Sequence, residues 1–149
     1  MDINRKAPVL SRGEADIAAD PETVWKVLAS IDHWPDWNSD VRSVSIESSV
    51  AKGTAFRWKA GRWKITSVIQ NVKKARLLAW TGRMMGISAV HAWHLEPAGA
   101  GTHVVTEESW QGFIVRLLRR TLQRSLDKAI ASGLESLRTE AERRARARA

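Results

Sequence analysis

His91 and Glu108 are the two side chains of this sequence best placed for acid–base chemistry. Each lies in a run of alternating apolar and polar residues, and a Gly-rich turn separates the runs. A hairpin with residues 98–101 as its loop places them directly opposite, with Cβ atoms about 4.5–5.5 Å apart. A register shifted by two residues makes them diagonal neighbours on the same face. The carboxylate can orient the imidazole as a general acid or base, but the pair is also compatible with a buried structural contact, with polar ligand recognition or with ordered water.

Tryptophan supplies the second chemical signal, because the chain has eight Trp, two Phe and no Tyr. Large aromatic side chains dominate protein cores, and they also line ligand cavities; the strand positions of these residues fit both interpretations. Buried indole N–H groups need acceptors, which would favour a ligand with acceptor oxygens. The candidate ligand-binding residues are Trp34, Trp37, Phe56, Trp58, Trp80, His91, Trp93, Glu108 and Trp110. Two of them, Trp34 and Trp37, flank Pro35 and either rim a cavity mouth or cover the end of a sheet.

Other kinds of site find little support in the sequence. Without Cys the chain has no disulfide, thiolate metal site or Cys nucleophile. The remaining histidines, His33, His94 and His103, lack metal-ligand spacing. Ser109 has the opposite strand parity to Glu108, which argues against a Ser–His–Glu triad. These residues therefore do not predict a metal site.

The elements that must position these side chains follow from periodicity. Residues 10–19 favour a strand, and Asp20-Pro21-Glu22 is a strong helix start because Asp caps and Pro suits the first turn. A second short helix is expected near Pro35. From residue 41 the apolar period is two for about 70 residues, broken by Gly-containing turns, which predicts an antiparallel meander of about six strands.

The last segment is predicted to be one helix over residues 113–137. Its apolar stripe is formed by Leu118, Leu122, Leu126, Ile130, Leu134 and Leu137. At 1.5 Å per residue such a helix is about 38 Å long, and seven strands span roughly 34 Å. The sequence thus predicts an α+β helix-grip fold: a seven-stranded antiparallel sheet curved around a long C-terminal helix, with two short helices between strands 1 and 2.

The formal charge of +8 is unevenly distributed. Residues 1–112 carry 14 basic and 12 acidic side chains, whereas residues 113–149 carry 10 and 4. A basic segment can contact nucleic acid or anionic lipid, but glutamates interrupt it and no DNA-reading motif is present, so nucleic acid is not the expected partner. We expect one domain over residues 1–149, with its core at about 10–137 and residues 138–149 as a basic helical extension dispensable to the core. Without a signal peptide or an apolar run near 18 residues, a cytoplasmic location is expected.

Several segments resemble the START-like helix-grip superfamily, which includes the Bet v-type allergens and the SRPBCC polyketide cyclase/dehydrase family. The resemblance is carried by ADPETVW (19–25), WPDWN (34–38), RLLAWTG (76–82), HAWHLEP (91–97) and GTHVVTEESW (101–110). It implies a deep cavity between the concave sheet and the terminal helix, with its mouth near the loop after the second short helix. It implies no cofactor and no metal, and it specifies the fold better than the chemistry.

Three functions remain open from the sequence. The first is binding of a lipid-, sterol- or polyketide-like molecule in a Trp-lined cavity. The second is a polyketide aromatase/cyclase-type enzyme in which His91 and Glu108 transfer protons. The third is an interaction surface for anionic lipid or nucleic acid on the basic C-terminal segment, including a weak contact through residues 138–149.

Overall fold

The computed structural model describes residues 2–148. Its elements are β1 (Val9–Ile17), α1 (Pro21–Ala29), a 3-10 turn (Ile31–His33), α2 (Trp34–Trp37), β2 (Val41–Ile46), β3 (Ala55–Ala60), β4 (Trp63–Lys73), β5 (Leu77–Met84), β6 (Ile87–Ala98), β7 (Gly101–Gln111), α3 (Phe113–Leu117) and α4 (Arg119–Arg148). The seven strands form one antiparallel sheet in the order β1-β7-β6-β5-β4-β3-β2. The predicted helix-grip architecture is confirmed.

Local signals place the short helices where the sequence indicates. The Asp20 carboxylate accepts a hydrogen bond from the Thr23 backbone N–H at 2.8 Å, and Pro21 occupies the first turn of α1. Pro35 likewise lies in the first turn of α2, where its missing N–H leaves no bond unmade. These caps fix where the chain leaves β1 and returns to the sheet at β2.

The β6–β7 hairpin has the register that places His91 opposite Glu108. Its loop is shorter than predicted, because Ala98 pairs with Gly101 and only two residues connect the strands. Gly99 has a φ of 60°, and such a left-handed conformation is what a two-residue hairpin turn requires. The error in loop length does not change the face of the sheet on which the side chains of β6 and β7 lie.

The predicted terminal helix is interrupted at Leu118, contrary to expectation. This residue has φ −110° and ψ 32° and ends α3 after five residues; α4 then runs from Arg119 for 30 residues. Leu118 is 44% exposed, so it does not belong to the buried stripe, whereas the five other predicted stripe residues are buried. Gly112 (φ 138°) lies where the chain passes from β7 into α3, and periodicity alone reveals neither this corner nor the break at Leu118.

Residues after Leu137 were expected to lie outside the core, and this is wrong. Helix α4 continues to Arg148, Ala141 is fully buried, and Ala145 packs against the same hydrophobic cluster. The Glu142 carboxylate accepts a hydrogen bond from the Ala18 backbone N–H at 2.8 Å. The alanines allow α4 to approach α1 closely, so the basic segment is part of the packed structure.

The N-terminal segment also extends the core beyond its predicted limit near residue 10. Ile3 is buried on the outer face of the sheet against Ala79 and Ala92. Arg5 pairs with Glu107, and the Asn4 backbone N–H donates to the Ser109 hydroxyl at 3.2 Å. The segment therefore covers polar side chains of β7 that would otherwise face solvent.

Helix α4 lies closest to the β1 edge of the sheet. At Gly13, a Cβ atom would come within 3.0 Å of the Ile130 side chain and 3.3 Å of the Leu134 side chain, so α4 packs tightly against β1 there. The strands that α4 contacts most are β1 and, to a smaller extent, β7. This off-centre position leaves space between α4 and the strands on the opposite side of the sheet.

An ion-pair cluster on α4 gives a prediction about acid stability. Hydrogen bonds from Arg143 and Arg144 lower the pKa of Glu140 to about 2, from a usual value of 4.5. A carboxyl group whose pKa is lower in the folded state than in the unfolded state stabilises the fold at pH values above its unfolded pKa. That stabilisation is lost as the pH falls through the folded-state pKa. We expect Glu140→Gln to cost about 1 kcal/mol at pH 7 in urea unfolding, with the difference from wild type shrinking between pH 4.5 and 2. Glu135→Gln, at an exposed position, should show almost no effect at either pH; an equal effect there would contradict the assignment.

Candidate functional site

His91 and Glu108 form a direct pair on neighbouring strands of the concave face. His91 Nδ1 lies 2.9 Å from Glu108 Oε1, and the two side chains are only 12% and 14% exposed. The pairing follows from the β6–β7 register, which places the two residues opposite each other. The structure thus brings together the two residues that the sequence indicated for acid–base chemistry.

Two further residues complete a hydrogen-bonded chain through this pair. The Trp110 indole N–H donates to the second oxygen of Glu108, and His91 Nε2 lies 2.8 Å from the Thr106 hydroxyl. Thr106 in turn donates to the Ala92 carbonyl at 3.2 Å. Both ring nitrogens of His91 therefore already have partners, so a ligand must contact the ring face or displace Thr106.

The order carboxylate–imidazole–hydroxyl resembles a nucleophilic triad in outline, but its hydroxyl is inaccessible. Thr106 is fully buried and lines neither of the cavities beside the pair. Ser109 points to the other face of the sheet, where it accepts from Asn4. Sequence reasoning missed Thr106, although its parity with Glu108, two residues away on the same strand face, was a usable signal.

A cavity of about 560 Å³ opens between α4 and the side of the sheet formed by β3, β4 and β5. Its aromatic and polar lining includes Trp58, Trp63, Trp80, His91, Glu108 and Trp110. Ser39 and Asp40, which follow α2, line it as well, and this is the position that the resemblance implied for the mouth. Trp63 was not among the predicted ligand-binding residues, although it also lies on a strand.

A smaller cavity of about 110 Å³ adjoins the first and shares its central residues. Trp58, Trp80, His91 and Glu108 line both, while Trp34, Trp37 and Trp93 line only the smaller one. Phe56 lines neither: it is buried in the core and packs edge-on against Trp34 and Trp80, with centroid distances of 5.7 and 5.9 Å. Strand parity gives the side of the sheet on which a residue lies, but not whether another side chain covers it.

The indole N–H groups around the cavities differ in how well they are satisfied. Trp34 donates to the Leu28 carbonyl at 2.9 Å, and Trp58 donates to the Ser67 hydroxyl at 3.0 Å. The buried Nε1 atoms of Trp37 and Trp93 have no partner among residues 2–148. Buried donors are rarely left unpaired, and both of these tryptophans line the smaller cavity.

The other histidines lie away from these cavities. A hydrogen bond to Asp16, 2.8 Å away, raises the pKa of His103, and a hydrogen bond to Asp36 raises the pKa of His33. His94 is exposed.

Within residues 2–148 no three acidic or histidine side chains cluster in a way that could hold a metal ion, and no helix in that range is long and apolar enough to cross a bilayer.

Comparison with known proteins places this chain in a family. Residues 9–142 match the family model described as "Polyketide cyclase / dehydrase and lipid transport". The chain belongs to this family. Curated protein sequences give no match to this member of the cyclase/dehydrase family.

Solved structures share the fold of this cyclase/dehydrase family member. A hypothetical protein of Helicobacter pylori is 17% identical, with 93% of this chain and 91% of that chain covered and a TM-score of 0.82. The Zhui aromatase/cyclase of Streptomyces sp. R1128 is 21% identical, with 93% and 96% covered and a TM-score of 0.80. A Thermus thermophilus protein is 20% identical, with 89% and 96% covered and a TM-score of 0.77. Likeness at this identity establishes the fold alone.

Proposed function

We propose that this protein binds a largely apolar molecule with acceptor oxygens, of lipid, sterol or polyketide type, between α4 and the concave sheet. The observation that carries the proposal is the cavity of about 560 Å³, whose aromatic walls surround one hydrogen-bonded pair, His91 and Glu108. That volume lies within the usual range for small-molecule sites, which combine apolar walls with a few placed polar groups.

The unpaired indole donors indicate the ligand's chemistry. Trp37 and Trp93 line the smaller cavity and have buried N–H groups without acceptors among residues 2–148. We call the two adjoining cavities together the chamber. After some side-chain adjustment, a carbonyl or hydroxyl oxygen of a ligand at the smaller-cavity end of the chamber would accept hydrogen bonds from these two indole N–H groups. Leaving a buried donor unpaired costs about 1–3 kcal/mol, so an oxygen-bearing ligand gains over a pure hydrocarbon of the same shape.

The eight indole N–H groups provide the test, because each gives its own signal in a proton–nitrogen NMR spectrum. The ligands are 2-acetylnaphthalene and 2-isopropylnaphthalene, which have nearly the same shape and differ mainly by a carbonyl oxygen. We expect saturable shifts for Trp58, Trp80 and Trp93, little change for Trp25, which lines neither cavity, and at least about ten-fold tighter binding of the ketone. Absence of saturable shifts with either ligand would refute the proposal, and equal affinities would remove the oxygen requirement.

A blocking variant distinguishes the chamber from surface binding. Ala129 lies on α4 and lines both cavities, so Ala129→Phe should weaken binding of the ketone by at least about ten-fold, because the added ring occupies ligand space. Ala147→Phe is the matched control, since Ala147 is exposed on the same helix and lines neither cavity. Equal affinity in the two variants would place the bound molecule outside the chamber.

The second candidate function is a polyketide aromatase/cyclase-type reaction. It is favoured by the His91–Glu108 pair within the chamber, because enolisation and dehydration require proton transfer at a positioned acid or base. In this candidate Glu108 orients the imidazole, and His91 must exchange its Thr106 contact for the substrate. Turnover of a poly-ketone should be lost in His91→Ala and reduced in Glu108→Gln. Wild-type turnover in both variants would exclude this role.

A further inference from the structure

Four large apolar side chains are exposed together at one end of the molecule. Met85, Phe113, Leu117 and Leu118 are 79%, 83%, 71% and 44% exposed. Met85 lies in the β5–β6 turn, and the other three belong to α3 and its last residue. The two segments touch, because a Cβ atom on Gly112 would clash with the Gly86 carbonyl oxygen and one on Gly86 would contact Ile114. We call these four residues the apolar tip.

The local geometry holds the apolar tip outward. Phe113 and Leu117 are four residues apart, so they lie on the same face of α3, while Val115 on the opposite face is fully buried and anchors the helix. The break at Leu118 ends α3, so these residues form a short helix separate from α4. Exposed apolar clusters of this kind commonly mark an interaction site.

A collar of cations surrounds the apolar tip. Arg116, Arg119 and Arg120 are exposed beside it, and Lys64 and Arg83 border the groove next to Met85. From residue 109 to residue 126 the sequence contains four arginines and no acidic residue. None of the five collar cations pairs with a carboxylate within residues 2–148, whereas Arg138, Arg143 and Arg144 of the C-terminal segment do. Three of the five arginines within residues 138–148 are thus paired with carboxylates, so that segment presents less unpaired positive charge than the collar does.

We propose that the apolar tip and its cationic collar dock this protein on an anionic lipid bilayer. Apolar side chains that enter the headgroup region, ringed by arginine and lysine at phosphate level, are the combination that holds peripheral proteins at such surfaces. Met84, next to Met85 in the chain, lines the larger cavity, so docking brings the chamber beside the bilayer. The docking does not depend on which ligand the chamber holds.

The test uses the full chain and extruded vesicles of phosphatidylcholine with 30% phosphatidylserine, compared with phosphatidylcholine alone, in a sedimentation assay at 0.15 M NaCl. We expect wild-type protein to bind the anionic vesicles and to be released by high salt. Phe113→Ser combined with Leu117→Ser should reduce partitioning at least about ten-fold. The triple variant Arg116→Gln, Arg119→Gln, Arg120→Gln should reduce it by about 100-fold, because each cation near the surface contributes about five-fold.

A matched control separates this site from general positive charge. Lys26→Gln, Lys52→Gln, Lys73→Gln removes the same charge from exposed positions elsewhere and should change partitioning by much less than the collar variant. Equal loss in both triple variants, or no wild-type binding even at 0.05 M NaCl, would overturn the proposal. A wild-type dimer that becomes monomeric in the Phe113→Ser, Leu117→Ser variant would also overturn it, because a second copy would then cover the apolar tip.

Discussion

Replacing Ala141 with aspartate should destabilise the protein by at least about 3 kcal/mol. Ala141 is fully buried in the cluster that includes Val24, Leu137 and Trp25, so the carboxylate would be placed in the core among largely apolar side chains. For a chain of this length the loss corresponds to a fall of roughly 6–12 °C in melting temperature. Thermal unfolding followed by circular dichroism measures it.

Thr139→Asp provides the control for this experiment. Thr139 is exposed on the same helix, so its substitution changes charge and helix propensity without burying the new group, and about 0.5 kcal/mol or less is expected. Similar losses for the two variants would mean that residues after Leu137 do not pack as described. The basic C-terminal segment would then be the dispensable extension that its composition suggests.

Removing the Glu108 carboxylate should have the second large effect. In Glu108→Leu the Trp110 indole N–H and the His91 Nδ1 atom lose their shared acceptor at a site that is 14% exposed. An orphaned donor costs about 1–3 kcal/mol, so we expect a loss of about 2–3 kcal/mol in urea unfolding. Glu108→Gln, which keeps one acceptor oxygen, should lose less.

The double variant His91→Leu, Glu108→Leu shows whether the pair acts as a unit. Replacing both partners by apolar groups leaves fewer orphaned polar atoms than replacing one. The double variant should therefore be more stable than the sum of the two single losses implies, by at least about 1 kcal/mol. Additive losses would mean that the contact between His91 and Glu108 contributes nothing of its own to stability.

The features that the sequence predicted correctly are those with short-range signals. Asp20 and Pro21 mark the start of α1 by cap chemistry, and strand alternation places His91 and Glu108 on one face because the side-chain period of a strand is two. A hairpin register is determined by its loop and its hydrophobic pattern, so the pairing of these residues could be argued from the sequence. The hydrogen-bonded network around them was harder to predict from the sequence, because Thr106 contacts the imidazole diagonally across the strand pair.

The features that were missed depend on contacts between distant parts of the chain. The residues next to Ala141 in the sequence do not indicate that α1 lies beside it. Their alternation of basic and small side chains is typical of a solvated helix. Burial of Ile3 on the outer face of the sheet requires a partner strand far along the chain. Phe56 is a further example within the site. Trp34 packs against it, so Phe56 faces side chains rather than a cavity, and strand alternation alone could not predict this.

Gly13 connects the packing of α4 with the size of the chamber on the other side of the helix. Ile130 and Leu134 rest where its side chain would otherwise be, so this glycine works as a spacer of minimal thickness. A methyl group at that position would lie 3.0 Å from Ile130, so the ends of these two side chains would have to shift by a few tenths of an ångström. The close approach of α4 to β1, and with it the space left on the other side of α4, thus depends in part on a residue that lines neither cavity.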